Sequence, residues 1–148
     1  MKPIATAILL ACLMLAATPA PAATYNQIRM KELISVYRAA GLSVTETSSA
    51  DVIRVGESYV MLASCRSDGR CAQIGMFRNY SDTRPTMAAI NEWNNAKQIP
   101  EASMNTNGTL HMEMWISAIG ATDTNIVDTF KWFEANAGDL NFWRRFIS

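Results

Sequence analysis

The chain has 148 residues with 13 basic and 13 acidic side chains and a single histidine, so it carries no net charge at neutral pH. That balance excludes the basic footprint expected of a nucleic-acid binder. Once the N-terminal leader described next is removed, the length suits one domain built around one core.

The chain opens with Lys2, an apolar run over residues 4–17, and the helix-breaking Pro19 and Pro21. This is the layout of a secretory signal, and Ala20-Pro21-Ala22 supplies a small-x-small cleavage site. The apolar run is too short for a spanning helix, which needs about 20 residues. Residues 1–22 are therefore expected to be removed, leaving a domain over 23–148 that is periplasmic or secreted and has no integral membrane span. Leu9-Leu10-Ala11-Cys12 loosely matches a lipoprotein box, but Leu13, Met14 and Leu15 prolong the apolar run, and Cys12 reads as part of the signal. Cleavage removes Lys2 and leaves the remainder one charge negative, with Cys65 and Cys71 as its cysteines. An even pair in an oxidising compartment reads as a disulfide.

Thr24 and Gln27 form a capping box. Met30, Leu33, Ile34 and Tyr37 follow at helical spacing, and Gly41 is a natural stop, so a first helix is predicted over 25–40. Short β-like runs follow at 42–47 and 51–56. Two strands, 58–65 and 71–78, then flank Arg66-Ser67-Asp68-Gly69-Arg70. A three-residue loop Ser67-Asp68-Gly69, with Gly69 left-handed, sets Arg66 opposite Arg70 and Cys65 opposite Cys71. The five-residue spacing is not that of a redox C-x-x-C motif, and no histidine accompanies it for zinc. The bridge is expected to be structural.

A second helix is predicted from Pro85 to Pro100, with Met87, Ile90, Trp93 and Ala96 or Lys97 along one face. Its Asn91-Glu92-Trp93-Asn94 core is unusual, since Asn competes for backbone hydrogen bonds and is a poor helix former. Asn91, Glu92, Asn94 and Asn95 either line a small polar pocket or fasten the helix by bonding neighbouring backbone, and the latter is favoured. Strands 101–105 and 109–117 follow across the turn signal Asn107-Gly108. A third helix capped by Thr122 or Asp123 carries Ile126, Val127, Phe130 and Phe133, Gly138 interrupts it, and 140–147 forms a terminal helical turn or two. The order α-β-β-β-β-α-β-β-α indicates an α+β fold with helices packed on an antiparallel sheet.

Alternation sets Leu110, Met112, Met114 and Ile116 on one strand face, with His111, Glu113 and Trp115 on the other. The methionines read as core filler rather than as copper ligands, and His111 points away from them. No nucleophile elbow is present, and no catalytic residue, metal or cofactor is predicted. Phe142-Trp143-Arg144-Arg145-Phe146 is the candidate partner contact, because aromatics beside Arg are common in interface hot spots. Closure of the protein's own core is the alternative for that segment.

Cys71-Ala72-Gln73-Ile74-Gly75-Met76-Phe77, the helix Asn91-Glu92-Trp93-Asn94 and an aromatic-rich end resemble the YbjN family of bacterial proteins over most of the chain. Lys97-Gln98-Ile99-Pro100 and Gly120-Ala121 depart from the family's usual Arg-Phe pair and double glycine. The resemblance implies a fold like that of type III secretion chaperones, in which a convex sheet with flanking helices pairs into dimers. It also implies a protein with no established enzymatic activity, loosely tied to stress, motility and surface structures. The expected function is thus a non-catalytic, chaperone-like module, a homodimer that holds another envelope protein. A periplasmic sensor of a small ligand or metal is the alternative.

Overall fold

The computed structural model describes residues 22–97 and 99–138. The proposed leader, apart from Ala22, and the 142–146 segment lie outside the described residues. Among the described residues, three helices and six strands follow in the expected order: α1 (Met30–Ala39), β1 (Val44–Glu46), β2 (Val52–Val55), β3 (Ser58–Cys65), β4 (Cys71–Tyr80), α2 (Met87–Lys97), β5 (Glu101–Met104), β6 (Leu110–Ser117) and α3 (Asp123–Ala137). The strands form one antiparallel sheet in the order β1-β2-β3-β4-β6-β5. After β4 the chain crosses through α2 to the far edge, and β6 then turns back between β5 and β4.

Strand alternation decides which side is covered. Ile53, Val55, Val60, Leu62, Ile74, Met76, Leu110, Met112 and Met114 point to one face and share a single core with Leu33, Val36 and Tyr37 of α1, Ile90 and Trp93 of α2, and Ile126, Phe130 and Phe133 of α3. Full burial of one such ring, as at Phe133, contributes about 2–3 kcal/mol. All three helices therefore lie against the same side of the sheet.

Helix α1 begins later than its sequence signals predict. Its N-terminal Arg29 N–H donates to Glu32 Oε2 at 2.9 Å, so Glu32 fills the role assigned to Gln27. Residues 25–28 run instead as an extended strap: Ile28 pairs with Cys71 through both backbone groups, and Tyr25 pairs with Gly120 and Ala121. Tertiary pairing satisfies more of this backbone than one extra helical turn would. The Tyr25 hydroxyl also donates to Asp123 at 2.7 Å. Burial first, then that bond and the Asp123 charge, push the Tyr25 phenol up to about 12.

Both hairpins have the same loop. Arg66 N–H donates to Arg70 O and Gly69 N–H to Arg66 O; in the second, Asn105 N–H donates to Thr109 O and Gly108 N–H to Asn105 O. Gly69 and Gly108 sit at φ +76° and +81°, the left-handed position of a three-residue loop. Asp68 and Asn107 each accept the N–H two residues on, an Asx turn. The loop at Asn107-Gly108 thus holds the three residues 106–108, as the predicted strands 101–105 and 109–117 imply.

Helix α3 starts as expected: Thr122 and Asn125 exchange side-chain-to-backbone bonds, and Gly138 caps the end. Its last turn is tied to the sheet by polar contacts. Glu134 accepts from the Ser58 hydroxyl and lies 3.9 Å from Arg78, while Tyr80 donates to Ala137 O. Burial raises the Tyr80 phenol to about 12; the Arg78 cation opposes the rise and the Glu134 carboxylate adds to it.

Candidate functional site

The helical Asn-Glu-Trp-Asn motif proves to be a clasp. The Trp93 ring is buried, and its Nε1–H donates to Pro100 O at 2.7 Å across the turn into β5. Asn94 Nδ2 donates to Ala102 O at 2.9 Å, and Asn94 Oδ1 accepts Ala102 N–H at 2.8 Å. The β5–β6 register turns Ser103 toward His111, so the Ala102 backbone groups face away from β6. One side-chain amide therefore takes the place of a neighbouring strand at that edge. Asn91, Glu92 and Asn95 are exposed, whereas Trp93 and Asn94 turn toward β5. Met87, expected on the packed face, is also exposed: the helix starts there, and Ala89, Ile90 and Trp93 form its buried stripe.

Cys65 and Cys71 are bridged, with S–S 2.08 Å. They are direct cross-strand partners. Arg66 and Arg70 make the last hydrogen-bonded pair, so the cysteines occupy a non-hydrogen-bonded one, where side chains approach most closely. Cys71 is buried and its backbone holds Ile28, so the bridge and the N-terminal strap share an anchor.

Among the described residues, the other side of the sheet carries no helix. Tyr59 on β3 and Phe77 on β4 are cross-strand partners whose rings stack with centroids 5.4 Å apart and planes 14° apart. His111 on β6 extends the row, its ring 5.9 Å from Phe77. Trp115 lies two residues farther along β6 opposite Gly75 and is 43 % exposed. Its indole covers Gly75 so closely that a Cβ there would stand 2.7 Å from two ring carbons. A glycine at this point lets the ring lie flat on the strand with its other face to solvent.

Polar groups border these rings. Asn79 Oδ1 accepts from His111 Nδ1 at 2.7 Å and from Asn105 Nδ2 at 3.2 Å. Asn105 Nδ2 also reaches Thr109 Oγ1, which donates to Asn107 Oδ1 at 2.6 Å. His111 Nε2 faces Glu113 Oε2 at 3.7 Å, and the same carboxylate oxygen accepts Trp115 Nε1–H at 3.2 Å. Two hollows meet at Asn79. One, of about 490 Å³, is walled by Tyr59 and Phe77 and rimmed by Thr47, Ser49, Arg54 and Glu57. The other, of about 420 Å³, lies among Ser81, Asn105, Thr106, Asn107 and Thr109.

Met112 and Met114 are buried on the helix side, opposite His111, as alternation predicts. Among the described residues no three His, Cys, Asp or Glu side chains gather where they could hold a metal ion, and no helix is long and apolar enough to cross a membrane. The sequence reading did not single out Tyr59, Phe77 and Asn79. Their signal was strand parity: they alternate with Val60, Met76 and Arg78, and so share the open face with His111 and Trp115. No protein-family model, curated protein or solved structure matches the chain.

Proposed function

We propose that this is an exported, non-catalytic binding module that uses its helix-free sheet face to hold an envelope protein. The observation that carries the reading is the row Tyr59–Phe77–His111 together with the solvent-facing indole of Trp115, aromatic surface held outside the core on a rigid sheet. Rigid aromatics bring large contact area at low entropic cost, which is why they dominate hot spots. A non-catalytic role fits the side chains described: Cys65 and Cys71 are bridged, and His111 donates Nδ1 to an amide oxygen. Export fits the disulfide and the leader-like first 22 residues. The resemblance to the YbjN family, carried by Cys71–Phe77 and Asn91–Asn94, supports a chaperone-like module, with pairing into dimers and the segment Phe142–Phe146 as a second contact.

A photo-crosslinking residue placed at 115 in the exported protein tests this, with one at Trp132 on α3, 45 % exposed, as control. The reading expects one dominant crosslinked envelope protein from position 115 that is lost when Tyr59 and Phe77 are both changed to Ala. Equal capture from 115 and 132, or capture indifferent to the double change, sinks it. The alternative, a small-ligand sensor, draws support from one observation, the pair of polar hollows around Asn79.

A further inference from the structure

The hollows around Asn79 have a chemistry narrower than "small ligand". We infer that they form a carbohydrate site, which takes a neutral pyranose against the Tyr59–Phe77 pair and the adjoining sugar among Asn79, Asn105 and Asn107. The inference deepens the small-ligand reading and rests on the open face being the recognition surface.

A pyranose has a patch of C–H bonds on its ring face and a rim of hydroxyls, each both donor and acceptor. The C–H patch is matched by an aromatic face, whose negative quadrupole attracts the slightly positive hydrogens. Tyr59 and Phe77, stacked on each other, wall one hollow with aromatic surface. The hydroxyl rim is matched by groups that both donate and accept, and side-chain amides and hydroxyls do so. Asn79, Asn105, Asn107 and Thr109 supply them in the second hollow.

Orientation adds to composition. Asn79 Oδ1 is held by His111 and Asn105, so the Asn79 NH2 group is fixed in direction, and it has no partner among the described residues. It stands ready as a donor at the point where the two hollows meet. Charge narrows the choice of ligand. Arg54 and Glu57, the charged side chains of the first hollow, lie 3.4 Å apart and offset each other; the second hollow is lined by neutral side chains. A free cation would find no net negative charge, and Arg84 at the edge of the second hollow donates to Asn107 O at 2.7 Å, whereas polyhydroxyl ligands need no net charge.

The test is an NMR titration of the 15N-labelled mature chain with tri-N-acetylchitotriose, cellotriose and maltotriose, each at millimolar concentration. At least one trisaccharide is expected to move the side-chain amide signals of Asn79, Asn105 and Asn107 saturably, while those of Asn91 and Asn95 on α2 stay in place. Asn79→Ala and Phe77→Ala should each weaken that binding about tenfold, a loss of about 1.4 kcal/mol. Asn79 is an exposed position, so its variant separates lost contact from lost fold. No saturable shift with any of the three sugars overturns the inference, as does binding that survives both changes. Protein capture through position 115 with sugar-silent asparagines would leave the binding-module reading standing and remove this one. Sugar binding with nothing captured at 115 would do the reverse.

Discussion

Replacing Asn94 by Ala tests the clasp most sharply. The side chain satisfies both backbone groups of Ala102, a residue only 1 % exposed, at 2.8 and 2.9 Å. Truncation removes two hydrogen bonds worth about 1 kcal/mol each and strands a buried donor and a buried acceptor at about 1–3 kcal/mol apiece. Water entering the new gap recovers part of that, so a net loss of about 3 kcal/mol is expected. For a domain of this size that corresponds to a fall in Tm of roughly 10 °C. Asn94→Asp should be no better, because a carboxylate oxygen would replace the donor that faces Ala102 O. Asn91→Ala, on the exposed side of the same helix, should change stability by less than about 0.5 kcal/mol. Urea unfolding of the three variants measures all of this. If Asn94→Ala and Asn91→Ala cost the same, the amide is not acting as a substitute strand and the reasoning fails.

Further outcomes follow from other contacts. Tyr37→Phe should stabilise by about 1 kcal/mol in the same assay, since the buried Tyr37 hydroxyl lacks a hydrogen-bond partner among the described residues. Replacing Cys65 and Cys71 together by Ala should cost about 2.4 kcal/mol on the chain-entropy account of so short a loop. Hydrogen exchange should then also speed at Ile28, which leans on Cys71. In alkali, Tyr25 and Tyr80 stay protonated in the fold up to about 12, and burial raises Tyr37 as well. The unfolded chain gives up those protons near pH 10, so it binds fewer than the fold does, and stability should fall as pH climbs from 10 to about 12. Circular dichroism with phenolate absorbance would follow this, and a flat stability across that range would contradict it. Gly75→Ala should displace the Trp115 indole, seen as a shift of its own 19F signal in 5-fluorotryptophan-labelled protein, with the other tryptophans unmoved.

Much of the fold was legible because local and tertiary preferences agree. The hairpin at Ser67-Asp68-Gly69 needs one left-handed glycine and one Asx turn, both written locally, and from them the Cys65–Cys71 register follows. The helical face of Leu33, Tyr37, Phe130 and Phe133 is equally local. Tyr25–Arg29 was misread because its fate is decided at long range, by pairing with Cys71, Gly120 and Ala121. Sequence also marked Asn91-Glu92-Trp93-Asn94 as special without telling which side chains turn inward. Trp93 and Asn94 do, and both bond to backbone, at Pro100 and at Ala102. The open face stayed hidden for a different reason. Tyr59 and Phe77 sit at polar-side positions of ordinary alternating strands, and only the packing of α1, α2 and α3 on the other side leaves them uncovered among the described residues.

The central claim is that the helix-free face, with its aromatic row, is occupied in the cell. Carbene footprinting of the exported protein in intact cells, set beside the purified mature chain, tests it without knowledge of the occupant. The account predicts that Tyr59, Phe77 and Trp115 are protected in cells while Trp132 on the helical side is labelled to the same extent in both. Equal labelling of all four rings in the two settings would contradict it.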